Sequence, residues 1–211
     1  MSKSNKYGYS GVDIPTQGFQ SNVGKFDPAE INELVQEDKY TNYGQLELIE
    51  TKTGTGVSAI DFTDIKEDVY NVHFVTIVAG ISNTGSVQIR FFEDGVLETA
   101  SVYDVAYQNG TATGAFDESK STTETRLFAT RTGTANEPRQ AYNYLYNLGD
   151  STKYSFQTMH AVSRKTGTTA CDIRFGSGVM HQASQVDGIR FTETGGGLLT
   201  GSISLYGIRY A

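Results

Sequence analysis

The chain has 211 residues, of which 37 % are hydrophobic and 19 % charged, with 23 glycines, 13 tyrosines, 11 phenylalanines and no tryptophan. It is long enough for a sizeable core and too aromatic for a disordered segment, and its formal charge of −7 argues against nucleic acid or an anionic membrane as partner. One cysteine, Cys171, excludes an intramolecular disulfide framework, and no apolar run approaches the ~18 residues of a membrane span.

The start "MSKSNKYGYS" lacks the apolar stretch of a secretion signal, so maturation in a cytoplasm is expected. Residues 1–44 then differ from the rest. A glycine- and tyrosine-rich arm precedes "FDPAEINELVQ", Phe26 to Gln36, which predicts one short helix over about 28–37. Asp27 supplies a cap, Pro28 suits the first helical position, and Glu30 follows three residues after the cap. Ile31, Leu34 and Val35 fall on one face. So short a helix is marginal alone, and its apolar stripe needs a surface to dock on. Tyr7, Tyr9, Ile14, Phe19 and Phe26 are spaced along the arm like the anchors of a peptide that threads across a partner. Extended, about 26 residues reach on the order of 85 Å. Arm and helix are read as an attachment region.

From Gln45 to Ala211 the pattern becomes short strands and turns. "QLELIET" (Gln45–Thr51) places Leu46, Leu48 and Glu50 on one side, and "VSAIDFT" (Val57–Thr63) follows a "TGTG" turn. Val69–Ile81 is the longest apolar run and reads as a central strand; Ser86–Glu93 ends at an "EDG" turn. Leu97–Tyr107 stops at Asn109-Gly110, a polar loop runs to Thr123, and Glu124–Arg131 follows. Arg139–Leu148 carries Tyr142, Tyr144 and Tyr146 on one face. Thr152–Val162, Thr169–Gly176, Val186–Glu193 and Leu198–Ala211 complete about ten strands. No helix separates them, so an all-β antiparallel sandwich, jelly-roll-like, is expected over 45–211, behind the arm and helix of 1–44.

Candidate chemistry is sparse. His73 and His160 sit inside strand patterns and His181 in a Gly-Ser loop, without a metal-ligand spacing, so hydrogen-bonded histidines are expected and no metal or cofactor. Asp61, Asp64, Glu67 and Asp68 sit at a strand end; Glu93-Asp94 and Asp117-Glu118 read as ordinary turns. Ser10 and Ser177 lack the setting of a nucleophile elbow, and Ser177 and His181, four apart, have no evident orienting acid. Gly195–Gly197 reads as a flexible turn, "NGT" at Asn109 as a tight turn rather than a glycosylation acceptor, and Cys171 as a small core residue. The tyrosine row suits either sugar stacking or a packed interface.

The arm "YGYSG…IPTQ.F..N.G.F.P.EIN.L" (Tyr7–Leu34), with "YGQLELIET" (Tyr43–Thr51), "AIDFTDI" (Ala59–Ile65), "YNVHF" (Tyr70–Phe74), "YNLGDSTKYSF" (Tyr146–Phe156) and "SLYGIRY" (Ser204–Tyr210), carries a resemblance. The chain resembles virion structural proteins of tailed phages, a group abundant in marine cyanophages. The resemblance implies a β-sandwich in the virion, without catalytic residues, called decoration, fibre or simply structural. The expectation is a non-enzymatic capsid decoration or fibre/tail component, assembled in the host cytoplasm. It would be fastened to capsid, portal/neck or tail proteins by its arm and would form a homo-oligomer, possibly a trimer. The alternative is a host-recognition adhesin that binds or cleaves a surface glycan.

Overall fold

This computed structural model describes residues 46–114 and 116–208, and before them Ala29, Ile31, Asn32 and Gln36, which are helical. Of the expected arm contacts, Ile31 is half-buried; Tyr7, Tyr9, Ile14, Phe19, Phe26, Leu34 and Val35 lie outside the described residues. The chain divides after Tyr43, and the unit Gly44–Tyr210 holds every strand described below.

That unit is a two-sheet antiparallel β-sandwich. Its strands are β1 (Leu46–Val57), β2 (Ala59–Phe62), β3 (Val72–Ile81), β4 (Val87–Glu93), β5 (Val96–Leu97), β6 (Tyr103–Thr111) and β7 (Phe116–Glu124), then β8 (Leu127–Phe128), β9 (Pro138–Tyr146), β10 (Ser155–Arg164), β11 (Cys171–Met180), β12 (Gly188–Glu193) and β13 (Leu199–Ile208). The large sheet runs β1-β13-β3-β9-β10-β11-β6-β7; the small one runs β2-β12-β4-β5, with β8 also on β4. The first four strands of the large sheet match β2, β12, β4 and β8 of the small one, each chain neighbour crossing between the sheets. This is the pairing of a jelly roll. Two insertions, β5–β7 and β10–β11, widen the large sheet to eight strands.

Alternation explains the layers. Val75, Ile77, Ala79 and Ile81 of β3 point inward with Leu199, Ile203 and Leu205 of β13, against Phe62, Ile89, Phe91, Ile189 and Phe191 of the small sheet. The expected central strand is therefore central, and the last strand lies inside the sheet between β1 and β3. The "EDG" turn is a two-residue hairpin: Asp94 and Gly95 have φ of 49° and 73°, the left-handed pair that such a turn demands. On the inner face of the inserted strands the filling is polar. Gln157 Nε2 donates to Asn143 Oδ1 (2.8 Å), and Tyr107 Oη to Gln157 Oε1 (3.0 Å). Arg174, over the Tyr107 and Phe128 rings, donates to Asn109 Oδ1 (2.8 Å).

Several local expectations are corrected. "TGTG" is not a turn: β1 runs through it, paired with Ser202 and Gly201 and bulged before Val57, and the chain changes sheet at Ser58. A second bulge, between Leu48 and Glu50, puts these two on opposite sides of β1. Asn109-Gly110 lies inside β6, flanked by Arg174 and Ile173 on one strand and Asp117 and Phe116 on the other. The expected polar loop to Thr123, with its Asp117-Glu118 turn, is mostly the edge strand β7. Strand ladders on both sides hold these residues, which outweighs their turn preference. Leu97 belongs to β5 rather than to the strand ending at Tyr107, and of the run Glu124–Arg131 only Glu124, which ends β7, and Leu127–Phe128 are strand. Gly176–Gly178 is strand too, and Cys171, at the outward start of β11, is exposed rather than core.

Candidate interaction face

Among the described residues no second layer of strands packs on the outer side of the large sheet. Residues paired across neighbouring strands share a face, so the register draws it row by row. One row runs Tyr206, Phe74, Tyr144 and Thr158 from β13 to β10. The next runs Thr76, Tyr142, His160 and Phe175 from β3 to β11. Val78, Gln140, Val162 and Ile173 lie on one side of these, and Ile208, Val72, Tyr146 and Phe156 on the other. None of these positions is charged. Charge returns only at the margins, with Arg164 at the end of β10 and Asp104, Glu118 and Lys120 on β6 and β7.

Period-two alternation puts Tyr142, Tyr144 and Tyr146 on this one face, as expected from β9 alone. The sequence did not reveal their neighbours from four other strands, because register is a long-range property. Val78 is 51 % exposed, Tyr142 and Phe156 are 43 %, and Phe175 is 39 %. Tyr144 and Tyr146 are half-buried, Tyr144 against the Phe74 ring at 4.8 Å between centroids. His160 is exposed beside Tyr142, its Nδ1 3.0 Å from the phenol oxygen and the rings edge to face at 5.6 Å. Two shallow grooves flank this pair. One, about 500 Å³, is walled by Phe74, Val78, Val162 and Ile173; the other, about 660 Å³, by Tyr144, Tyr146, Thr158 and Phe175.

Several ionisable groups elsewhere are engaged as staples. Arg190 grips Asp61 with two hydrogen bonds, at 2.7 and 2.5 Å. The Glu193 carboxylate accepts from Gly195 N and Gly197 N (2.6 Å each) and from Asn83 Nδ2 (3.1 Å), so the triple-glycine turn is organised around it. Burial pushes its pKa up, but these hydrogen bonds to the charged form outweigh burial and hold it below the ordinary value. His73 is fully buried, its Nε2 donating to the Ile65 carbonyl at 2.7 Å. Arg139, also fully buried, donates to the carbonyls of Asn83, Gly85, Gly133 and Glu137.

His181 does have an orienting acid, which sequence spacing could not show because it comes from β6: its Nδ1 lies 2.9 Å from Asp104 Oδ1. No hydroxyl is hydrogen-bonded to its Nε2 among the described residues. The same loop is tied down by Gln182 and Ser184 on Glu93 and by Val186 N on the Leu148 carbonyl, so the pair anchors a loop. Among the described residues no group of three or more His, Cys, Asp or Glu is placed to hold a metal ion. Comparison with protein families, curated proteins and solved structures gives no match to the chain.

Proposed function

We propose that the chain is a non-enzymatic structural component of a tailed-phage virion, capsid decoration or fibre/tail, fastened to another virion protein through residues 1–44. The observation that carries the structural half of this reading is the broad, uncharged, aromatic outer face of the large sheet. Such a face suits packing against protein, since interface cores lose charge and gain aromatics. The phage setting comes from the resemblance of the arm and strand motifs. Attachment comes from the apolar stripe of Ile31, Leu34 and Val35.

The test is made in the full-length chain within the virus that encodes it. Ile31→Asp with Leu34→Asp places two charges on that stripe. Each unpartnered charge that must be buried costs several kcal/mol, enough to remove most of a docking affinity. Gel densitometry of purified virions should find the variant depleted; wild-type copy number would overturn attachment through the helix.

A second reading, a host-recognition adhesin for a surface glycan, is favoured by one observation: exposed Tyr142 and Phe175 stand beside the two grooves, and sugar rings stack on such side chains. Glycan-array binding that is lost in Tyr142→Ala would favour it.

A further inference from the structure

We propose that the outer face of the large sheet is the docking surface for a second copy of this chain, in a rotationally symmetric homo-oligomer. The proposal rests on the structural reading above and names the partner of that face.

Charge is the first reason. The chain carries −7, and a second copy brings the same. Two copies repel wherever they bring acidic surfaces together, and like charges pressed into an interface cost several kcal/mol. The rows through Phe74, Tyr142, Tyr144, His160 and Phe175 let a copy approach its own twin with no formal charge on either side. An acidic or basic partner would find nothing there to pair with.

Extent is the second. Six neighbouring strands, β1 to β11 in sheet order, about 4.8 Å apart and four side-chain rows deep, span roughly 30 by 25 Å. That is on the order of 750 Å², against about 800 Å² per partner in a stable interface. Shape is the third. The Tyr142–His160 pair forms a ridge between grooves of about 500 and 660 Å³. In a symmetric contact the same patch supplies both ridge and groove.

A glycan fits the face less well. The Tyr142 hydroxyl is engaged with His160 Nδ1 at 3.0 Å and the Tyr146 hydroxyl with Thr158 Oγ1 at 3.2 Å. Two of the hydroxyls a sugar would use are thus already engaged within the face.

The experiment is sedimentation velocity with light scattering on the full-length chain, wild type against Phe175→Glu and Tyr142→Arg. Val96→Glu, at an exposed position of the small sheet, is the control. Circular dichroism checks that each variant is folded, and having two face variants keeps the test open if one fails to fold. Wild type and control should sediment as an integer multiple of 23.0 kDa, and the face variants at 23.0 kDa. A monomeric wild type, or face variants that keep the oligomer, would overturn the proposal. So would an oligomer that dissociates with Ile31→Asp/Leu34→Asp but persists with Phe175→Glu, because the helix would then be the contact. A monomer that enters virions at wild-type copy number removes this proposal and leaves the proposed function standing. A robust oligomer absent from virions does the reverse.

Discussion

At the scale of single residues, the fold depends on buried polar groups whose partners are backbone atoms. His73 Nε2–H donates a hydrogen bond to the Ile65 carbonyl, while Nδ1 has no partner, so the site suits only a neutral ring. Burial accordingly lowers its pKa below the ordinary 6.5. The unfolded chain takes up the proton first, so stability is full above about pH 6.5 and falls as pH drops below it. Glu193 adds a second acid-sensitive step. Its lowered pKa gives stability that is full above the ordinary 4.5 and is lost as pH falls through the folded-state value. Thermal melts should therefore fall in two stages on acidification. His73→Gln should remove most of the first stage, and an unchanged slope between pH 7 and 5.5 would contradict this. Arg139→Met leaves four carbonyls without their donor in a fully buried site. At about 1–3 kcal/mol for a buried unsatisfied group, the loss should reach roughly 3 kcal/mol or more. Urea titration measures it, and a loss under about 1 kcal/mol would show that water replaces the guanidinium. His73 was legible in the sequence as a hydrogen-bonded histidine within a strand, though not its partner Ile65, whereas Arg139 was only the start of a strand and the hold of Glu193 on the glycine turn was not visible.

At the scale of elements, the strands with strong alternation were readable and the polar ones were not. β3, β4, β12 and β13 carry apolar side chains at most alternate positions and β9 carries a tyrosine at three of them; these strands and β10 were each found within a few residues of their place. β7, "FDESKSTTE", has no such signal, because a sheet edge with open flanks needs none. Its Asp117, Glu118 and Lys120 also discourage growth of the sheet at that edge. β13 joins β1 to β3, with Ile203 and Leu205 in the core. Deleting the last eight residues, from Ser204 onward, removes ladder bonds on both sides together with Leu205. Insoluble protein is expected, and a soluble, cooperatively melting truncation would contradict that role.

At the scale of the whole molecule, the sandwich closes its core with residues from Ile49 onward. A chain lacking residues 1–44 should stay soluble and melt cooperatively; if it unfolds, the helix serves the domain's own core rather than a partner. Half of the candidate site could be read in advance, as the tyrosine row of β9. The other half, Phe74, His160, Phe175 and Tyr206, comes together only through strand register. The central claim of the proposed function and of the inference built on it is that a second copy covers this face. Electron cryomicroscopy of virions carrying the protein, with the sandwich fitted to the density, tests it directly. The account predicts another copy packed within about 4 Å of Tyr142 and Phe175, the distance of ordinary side-chain contact. Density that leaves both side chains facing solvent would contradict it.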